Sequence, residues 1–219
     1  MCMADVRSRR LRGALITPEG VENLRTYKYS GADLSLLYKY CLSPLAERCL
    51  QFLPMSMAPN LVTLLGLIMS AISYVLLFLY APGLQSSDTP GWVFLVTSVG
   101  LFLYQTLDNM DGKQARRTGS SSPLGLIFDH GCDALNQMFG IVYVACLLNA
   151  GSSLAIMAAI MGNQTIPFFF ATWEEYYTHE LLLPIVNGPS EGVVLGVMAG
   201  IATCFLRPEW WWEPNTFLR

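Results

Sequence analysis

The stretch DNMDGKQARRTGSSSPLGLIFDHGCD, residues 108–133, gathers four aspartates, three Lys or Arg and one His between long apolar segments. Asp108 and Asp111 are three residues apart, and Asp129 and Asp133 are four apart. On helices, each pair falls along one face. If the two flanking segments are antiparallel helices joined by a short loop, the two acidic faces can meet. Four converging carboxylates repel one another, and divalent cations relieve that repulsion. An all-oxygen donor set favours Mg²⁺ or Mn²⁺, and two such ions can clamp a phosphoryl group and its leaving oxygen. Gly112, Gly125 and the small Ala115 leave room for a ligand or a neighbouring backbone, and Arg116 offers a planar fork to phosphate oxygens. A solvated loop whose charges only set topology is the plainer reading. It suits Lys113 and Arg117 better than the aspartates, which sit at helix ends.

The rest of the chain explains why charge is concentrated there. Its 219 residues are 53% hydrophobic and 13% charged, whereas soluble domains carry about 25% charged residues. Five apolar runs suggest membrane-crossing helices: Leu61–Tyr80, Trp92–Leu107, Leu126–Leu148, Leu154–Phe170 and 191–206. A core of this size could not bury all five in a soluble protein. The expected fold is therefore all-α, a polytopic membrane helix bundle. Eight of the thirteen Lys and Arg precede the first run, and three lie between the second and third. The positive-inside rule then puts the N-terminus and 108–125 in the cytosol, and parity adds 173–190. In PLAERCLQFL, residues 44–53, Leu45, Ala46, Cys49, Leu50 and Leu53 share one helical face. This is expected to be an amphipathic helix at the cytosolic interface, or a cap packed onto the spans. The resulting division is 1–57 as a cytosolic N-terminal segment, 58–206 as the membrane domain and 207–219 as a short tail.

The six cysteines are scattered without a CxxC pair and read as reduced thiols. No apolar h-region follows the basic N-terminus, so no cleavable signal peptide is expected. A net charge of −3 gives no reason to expect a nucleic-acid partner.

The pattern Asp108-x2-Asp111-Gly112-x2-Ala115-Arg116-x8-Gly125-x3-Asp129-x3-Asp133 resembles the signature of the CDP-alcohol phosphotransferases at every fixed position. Average usage would produce it in roughly one chain in 10⁷ to 10⁸ of this length. YKYSGADLSLLYKYCLSP (27–44), APNLVTLLG (58–66), FDHGCDALN and WEEYYTHELLLPIVNGPSEG (173–192) further resemble the eukaryotic choline/ethanolamine phosphotransferase branch. That resemblance implies a membrane enzyme of the endoplasmic reticulum or Golgi with its site facing the cytosol. In it, Asp108, Asp111, Asp129 and Asp133 would hold two Mg²⁺ or Mn²⁺ ions against the pyrophosphate of CDP-choline or CDP-ethanolamine. The hydroxyl of diacylglycerol would attack the β-phosphate, and CMP would leave. Gly112, Ala115, Arg116 and Gly125 would line the nucleotide site. Asn60 would contact the CDP moiety, although from its position alone it reads as a cap for the first span. His130 and Glu191 would be the proton-accepting pair, with Asp133 a further candidate for base.

The branch is nearly twice as long as this chain, its shared core has six spans against five here, and the resemblance makes a homodimer an option for the full-length family. The expected architecture is thus an incomplete membrane domain, and the chain is read as a truncated member of the branch. Two alternatives follow: an inactive or regulatory membrane subunit, or a superfamily enzyme that transfers a phosphatidyl group from CDP-diacylglycerol to a soluble alcohol.

Overall fold

The computed structural model describes residues 16–206 except Lys28, Asp88 and Ser152. The basic residues before Ile16 and the tryptophan-rich tail 207–219 lie outside the described residues. The elements in order are α1 (Pro18–Thr26), β1 (Gly31–Asp33), and a π-helical turn (Tyr38–Leu42) running into α2 (Ser43–Leu50). The long helices α3 (Pro59–Tyr80), α4 (Gly91–Thr118), α5 (Pro123–Leu147) and α6 (Leu154–Thr178) follow. Then come β2 (Leu181–Leu183) and a second π-helical turn (Gly188–Gly192) that opens α7 (Val193–Leu206). The chain is an all-α bundle of an integral membrane protein. Among the described residues, Pro59–Tyr80, Leu154–Thr178 and Gly188–Leu206 are long and apolar enough to cross a membrane by length and composition. The other two long helices, α4 and α5, carry the acidic signature.

Two helices outrun the apolar segments that announced them. α4 continues past Leu107 to Thr118, so the first half of the signature is helical. DNMDGKQARR has polar residues but no Pro, and the helix ends only where Gly119 turns left-handed at φ 66°. α6 likewise runs through WEEYYT and ends at His179, φ 58°. Hydropathy measures what lipid tolerates, whereas the caps set where helices stop. α5 starts at Ser122, whose hydroxyl accepts from the Gly125 N–H at 3.1 Å, with Pro123 in the first turn.

α3 packs most extensively on α4, α4 also packs on α7, and α5 lies mainly along α3. α6 packs on α5 and buries only Ile160. A core of Leu77, Val93, Phe94, Leu101, Tyr143, Cys146 and Val197 fills the half of the bundle away from the signature. Close approach depends on small residues. A Cβ at Gly100 would collide with the Ser73 side chain across the α3–α4 seam. Ser98 and Tyr143 hydroxyls bond at 2.7 Å between α4 and α5.

α2 is amphipathic and its apolar face packs onto the bundle: Ala46 clusters with Val62 and Met110, flanked by Cys49, Leu50, Leu53 and Leu107. Lys113 and Arg117 are not idle charges. Lys113 Nζ donates to Ser43 Oγ at 2.8 Å and to Glu47 Oε1 at 3.0 Å, which holds the exposed Glu47 carboxyl below its usual range. Arg117 Nη1 donates to the carbonyls of Leu50 and Leu53 at 2.9 and 3.1 Å, capping the end of α2. Finally, β1 and β2 pair in parallel, Gly31 opposite Leu181, tying the N-terminal segment to the α6–α7 connection.

Candidate active site

The site lies where the N-terminal end of α3, the C-terminal end of α4 and the N-terminal end of α5 adjoin. One carboxylate oxygen from each of Asp108, Asp111 and Asp129 lies within 4.8 Å of the other two. The Asp133 carboxylate adjoins that of Asp108 and accepts from the Tyr104 hydroxyl at 2.7 Å. All four aspartates of the signature therefore meet, three as one ligand group and the fourth beside it.

Thr63 of α3 donates its hydroxyl to Asp111 Oδ2. Tyr104 stands four residues before Asp108, so α4 brings to one face both an acid and the phenol that orients another acid. Asp108 Oδ1 and Asp129 Oδ1 are buried and accept no hydrogen bond among the described residues. Buried carboxylate oxygens without donors are costly. Hard oxygens gathered this closely, two of them without a donor, fit a divalent cation such as Mg²⁺ or Mn²⁺.

The residues around the acids form a cradle. A Cβ at Gly125 would lie 3.4 Å from Asn60 Oδ1, so glycine there leaves space beside that amide. Asn60 sits inside the first turn of α3; the cap position belongs to Ala58, which makes no side-chain cap bond. A side chain at Gly112 would come 3.6 Å from Arg116 Nη1. Arg116 is exposed, and its side chain makes no hydrogen bond or ion pair among the described residues. Its guanidinium is thus available beside the cluster. Ala115 is half-buried, and its carbonyl accepts from the Ser120 N–H at 3.0 Å where α4 closes.

The two residues read as proton acceptors are placed differently. His130 is on α5 between Asp129 and Asp133, half-buried, within electrostatic reach of Asp133. Glu191, in the turn before α7, accepts from the Ser35 hydroxyl on Oε1 and from the Asn187 N–H at 2.9 Å on Oε2. No hydrogen bond joins it to His130.

Three features escaped the sequence. Thr63 could have been found three residues after Asn60 on the same face of α3, and Tyr104 one turn before Asp108. The third is a polar knot. Asp33 accepts from the Ser35 N–H, Asn187 Nδ2 and Ser190 Oγ, each at 2.8 Å. Isolated polar residues so far apart in the chain give no local signal. Outside the spans, burial and then the neighbouring Glu175 push the Tyr29 phenol up to about 12.

Residues 56–209 match the sequence model of the family described as CDP-alcohol phosphatidyltransferase. The choline/ethanolaminephosphotransferases 1 and 2 of Arabidopsis thaliana are each 44% identical to this chain, over 196 and 211 residues, covering 90% and 91% of it. They are matched over 49% and 50% of their own lengths. Choline/ethanolaminephosphotransferase 1 of Saccharomyces cerevisiae is 38% identical over 205 residues, 94% of this chain and 52% of that protein. The chain spans about half the length of the curated relatives it matches.

Proposed function

Because the chain belongs to the CDP-alcohol phosphatidyltransferase family, we propose that it transfers phosphocholine or phosphoethanolamine from CDP-choline or CDP-ethanolamine to diacylglycerol, releasing CMP. The observation that carries this reading is the aspartate cluster, whose buried, donor-free oxygens suit divalent cations. Asp108, Asp111, Asp129 and Asp133 would hold two Mg²⁺ or Mn²⁺ ions. When bound, these neutralise charge on the pyrophosphate and on the departing CMP phosphate. Thr63 and Tyr104 fix the rotamers of Asp111 and Asp133. Arg116 binds phosphate oxygens, and Asn60 holds the CDP moiety in the space left by Gly125.

The diacylglycerol hydroxyl oxygen bonds to the β-phosphorus as the bond from that phosphorus to the CMP phosphate oxygen breaks. The hydroxyl proton passes to the imidazole of His130, assisted by Glu191. Asp133, held by Tyr104, serves as a metal ligand rather than the base. The site works at the cytosolic interface of the endoplasmic reticulum or Golgi membrane, where a soluble nucleotide and a bilayer lipid can both reach it.

The test is an assay of the purified 219-residue chain with labelled CDP-choline or CDP-ethanolamine plus diacylglycerol, and separately with CDP-diacylglycerol plus inositol. Metal-dependent CMP release in the first pair, abolished in Asp129→Asn, is expected. Turnover only in the second pair would favour a phosphatidyltransferase, and none in either a regulatory subunit.

A further inference from the structure

The segment before β1 and the end of α6 are brought together by the β1–β2 pairing, and the mechanism above uses neither. Three restraints fix that segment. Gly31 pairs with Leu181, and Ser30 accepts from the Leu181 N–H at 3.0 Å. The Asp33 knot, with Ser35 and Ser190 fully buried, locks the far end of β1 to the start of α7. Tyr29, next to Ser30, is therefore held close to the chain that leaves α6, whose end has the Glu175 carbonyl accepting from the His179 N–H at 2.8 Å. Its ring is placed as well: it lies over the Gly31 backbone, where a Cβ would strike its hydroxyl and Cζ. Glycine at 31 permits that packing, and the packing restricts the ring's rotamers.

From this position Tyr29 is within electrostatic reach of Glu175, and also of Asp129 and Arg116 in the cradle. Tyr27 is within reach of Glu175 too. An aromatic ring and a carboxylate thus lie within electrostatic reach of each other, and the ring also within reach of the aspartate end of the bundle. Both groups are partly exposed, open to a ligand rather than sealed in the core.

We propose that Tyr29 and Glu175 form the subsite for the cationic end of the CDP-alcohol, a small ammonium group. The inference rests on the transferase reading above and names the part of the substrate which that reading leaves unassigned. In such a substrate the ammonium is separated from the reacting phosphorus by one ester oxygen and two carbons. With the phosphorus at the aspartates and Arg116, the cation must lie beside the cluster. The face of a tyrosine attracts quaternary and primary ammonium alike. A carboxylate adds Coulomb attraction to both, and hydrogen bonds only to a primary ammonium. Tyr29 supplies the shared term, and Glu175 favours ethanolamine over choline.

The experiment titrates the 219-residue chain in lipid nanodiscs with Mg²⁺, using CDP-choline, CDP-ethanolamine and CDP as probes. Losing the ring in Tyr29→Ala is expected to weaken CDP-choline relative to CDP roughly tenfold, the size of one cation–π contact. Tyr29→Phe keeps the ring and restores the ratio, whereas Tyr29→Leu keeps the bulk and does not. Glu175→Gln weakens CDP-ethanolamine more than CDP-choline. Equal weakening of all three probes in Tyr29→Ala would overturn the subsite, because the residue would then only support the fold. So would a wild-type chain that binds CDP as tightly as CDP-choline. In either case, CDP binding lost in Asp129→Asn would leave the transferase reading standing. A wild-type chain that binds none of the three probes overturns both.

Discussion

At the scale of single residues, the centre depends on side chains that never need to touch substrate. A carboxylate holds a cation well only if its rotamer is fixed before the cation arrives. Thr63 does this for Asp111 and Tyr104 for Asp133. Removing either hydroxyl leaves all four acids in place but frees one of them to swing. Thr63→Val and Tyr104→Phe are therefore expected to lower metal affinity about 10- to 100-fold, the usual cost of a lost orienting partner. Raising Mg²⁺ or Mn²⁺ should recover most of the activity, and a metal titration of CMP release checks this. Asp129→Asn differs: it removes ligand charge, so excess metal should not rescue it. If the Thr63 variant were equally beyond rescue, its role would lie elsewhere.

At the scale of elements, the α2 cap shows how the approach to the site is held. Gln114 is fully buried, and its Nε2 donates to the carbonyls of Pro54 and Met57, both at 3.0 Å. One side chain thus pins the turn that leads into Pro59, Asn60 and the start of α3. Gln114→Leu preserves bulk but removes both bonds: the Pro54 carbonyl keeps the Met57 N–H at 3.1 Å, while the half-buried Met57 residue loses the donor to its carbonyl, at about 1 kcal/mol. Amide exchange across 50–62 should accelerate while that of α4 and α5 stays slow, and CDP affinity should fall because Asn60 is at the end of the loosened segment. The elements also separate what the sequence could reveal from what it could not. Apolar runs located helices α3 to α7, and the aspartate spacings located the carboxylate cluster, because both signals recur within a few turns of one chain segment. The β1–β2 clasp was invisible: strands of three residues have no alternation to detect, and Asp33, Ser35, Asn187 and Ser190 acquire meaning only when distant loops meet. Helix ends were misjudged wherever polarity changed before a breaker appeared, as between Leu107 and Gly119.

At the scale of the whole molecule, the bundle is polarised: one end carries the aspartate cluster and the other the apolar core. In lipid, helices gain little from hiding apolar surface from one another, so close contact and hydrogen bonds between them decide the packing. Gly100→Ala, with its Cβ meeting Ser73 and only 3.3 Å from the Met69 carbonyl, should force α3 and α4 apart. About 1–3 kcal/mol of overpacking is expected, read as a lower unfolding temperature in detergent. The polarity also fixes which segments share an aqueous face. The connection after α4, the β1–β2 clasp and the α6–α7 connection all lie at the site end, while the turn between α3 and α4 lies a helix length away, roughly 33 Å for 22 residues. Ser120, Glu180 and Gly83 are exposed positions on these segments. With the six native cysteines replaced by alanine or serine, Ser120→Cys and Glu180→Cys should react with an impermeant maleimide from the same side of sealed vesicles. Gly83→Cys should react only from the other. If Glu180→Cys labelled together with Gly83→Cys, the clasp could not join the two connections it bridges, and the aspartate end would lose the wall that carries Tyr29.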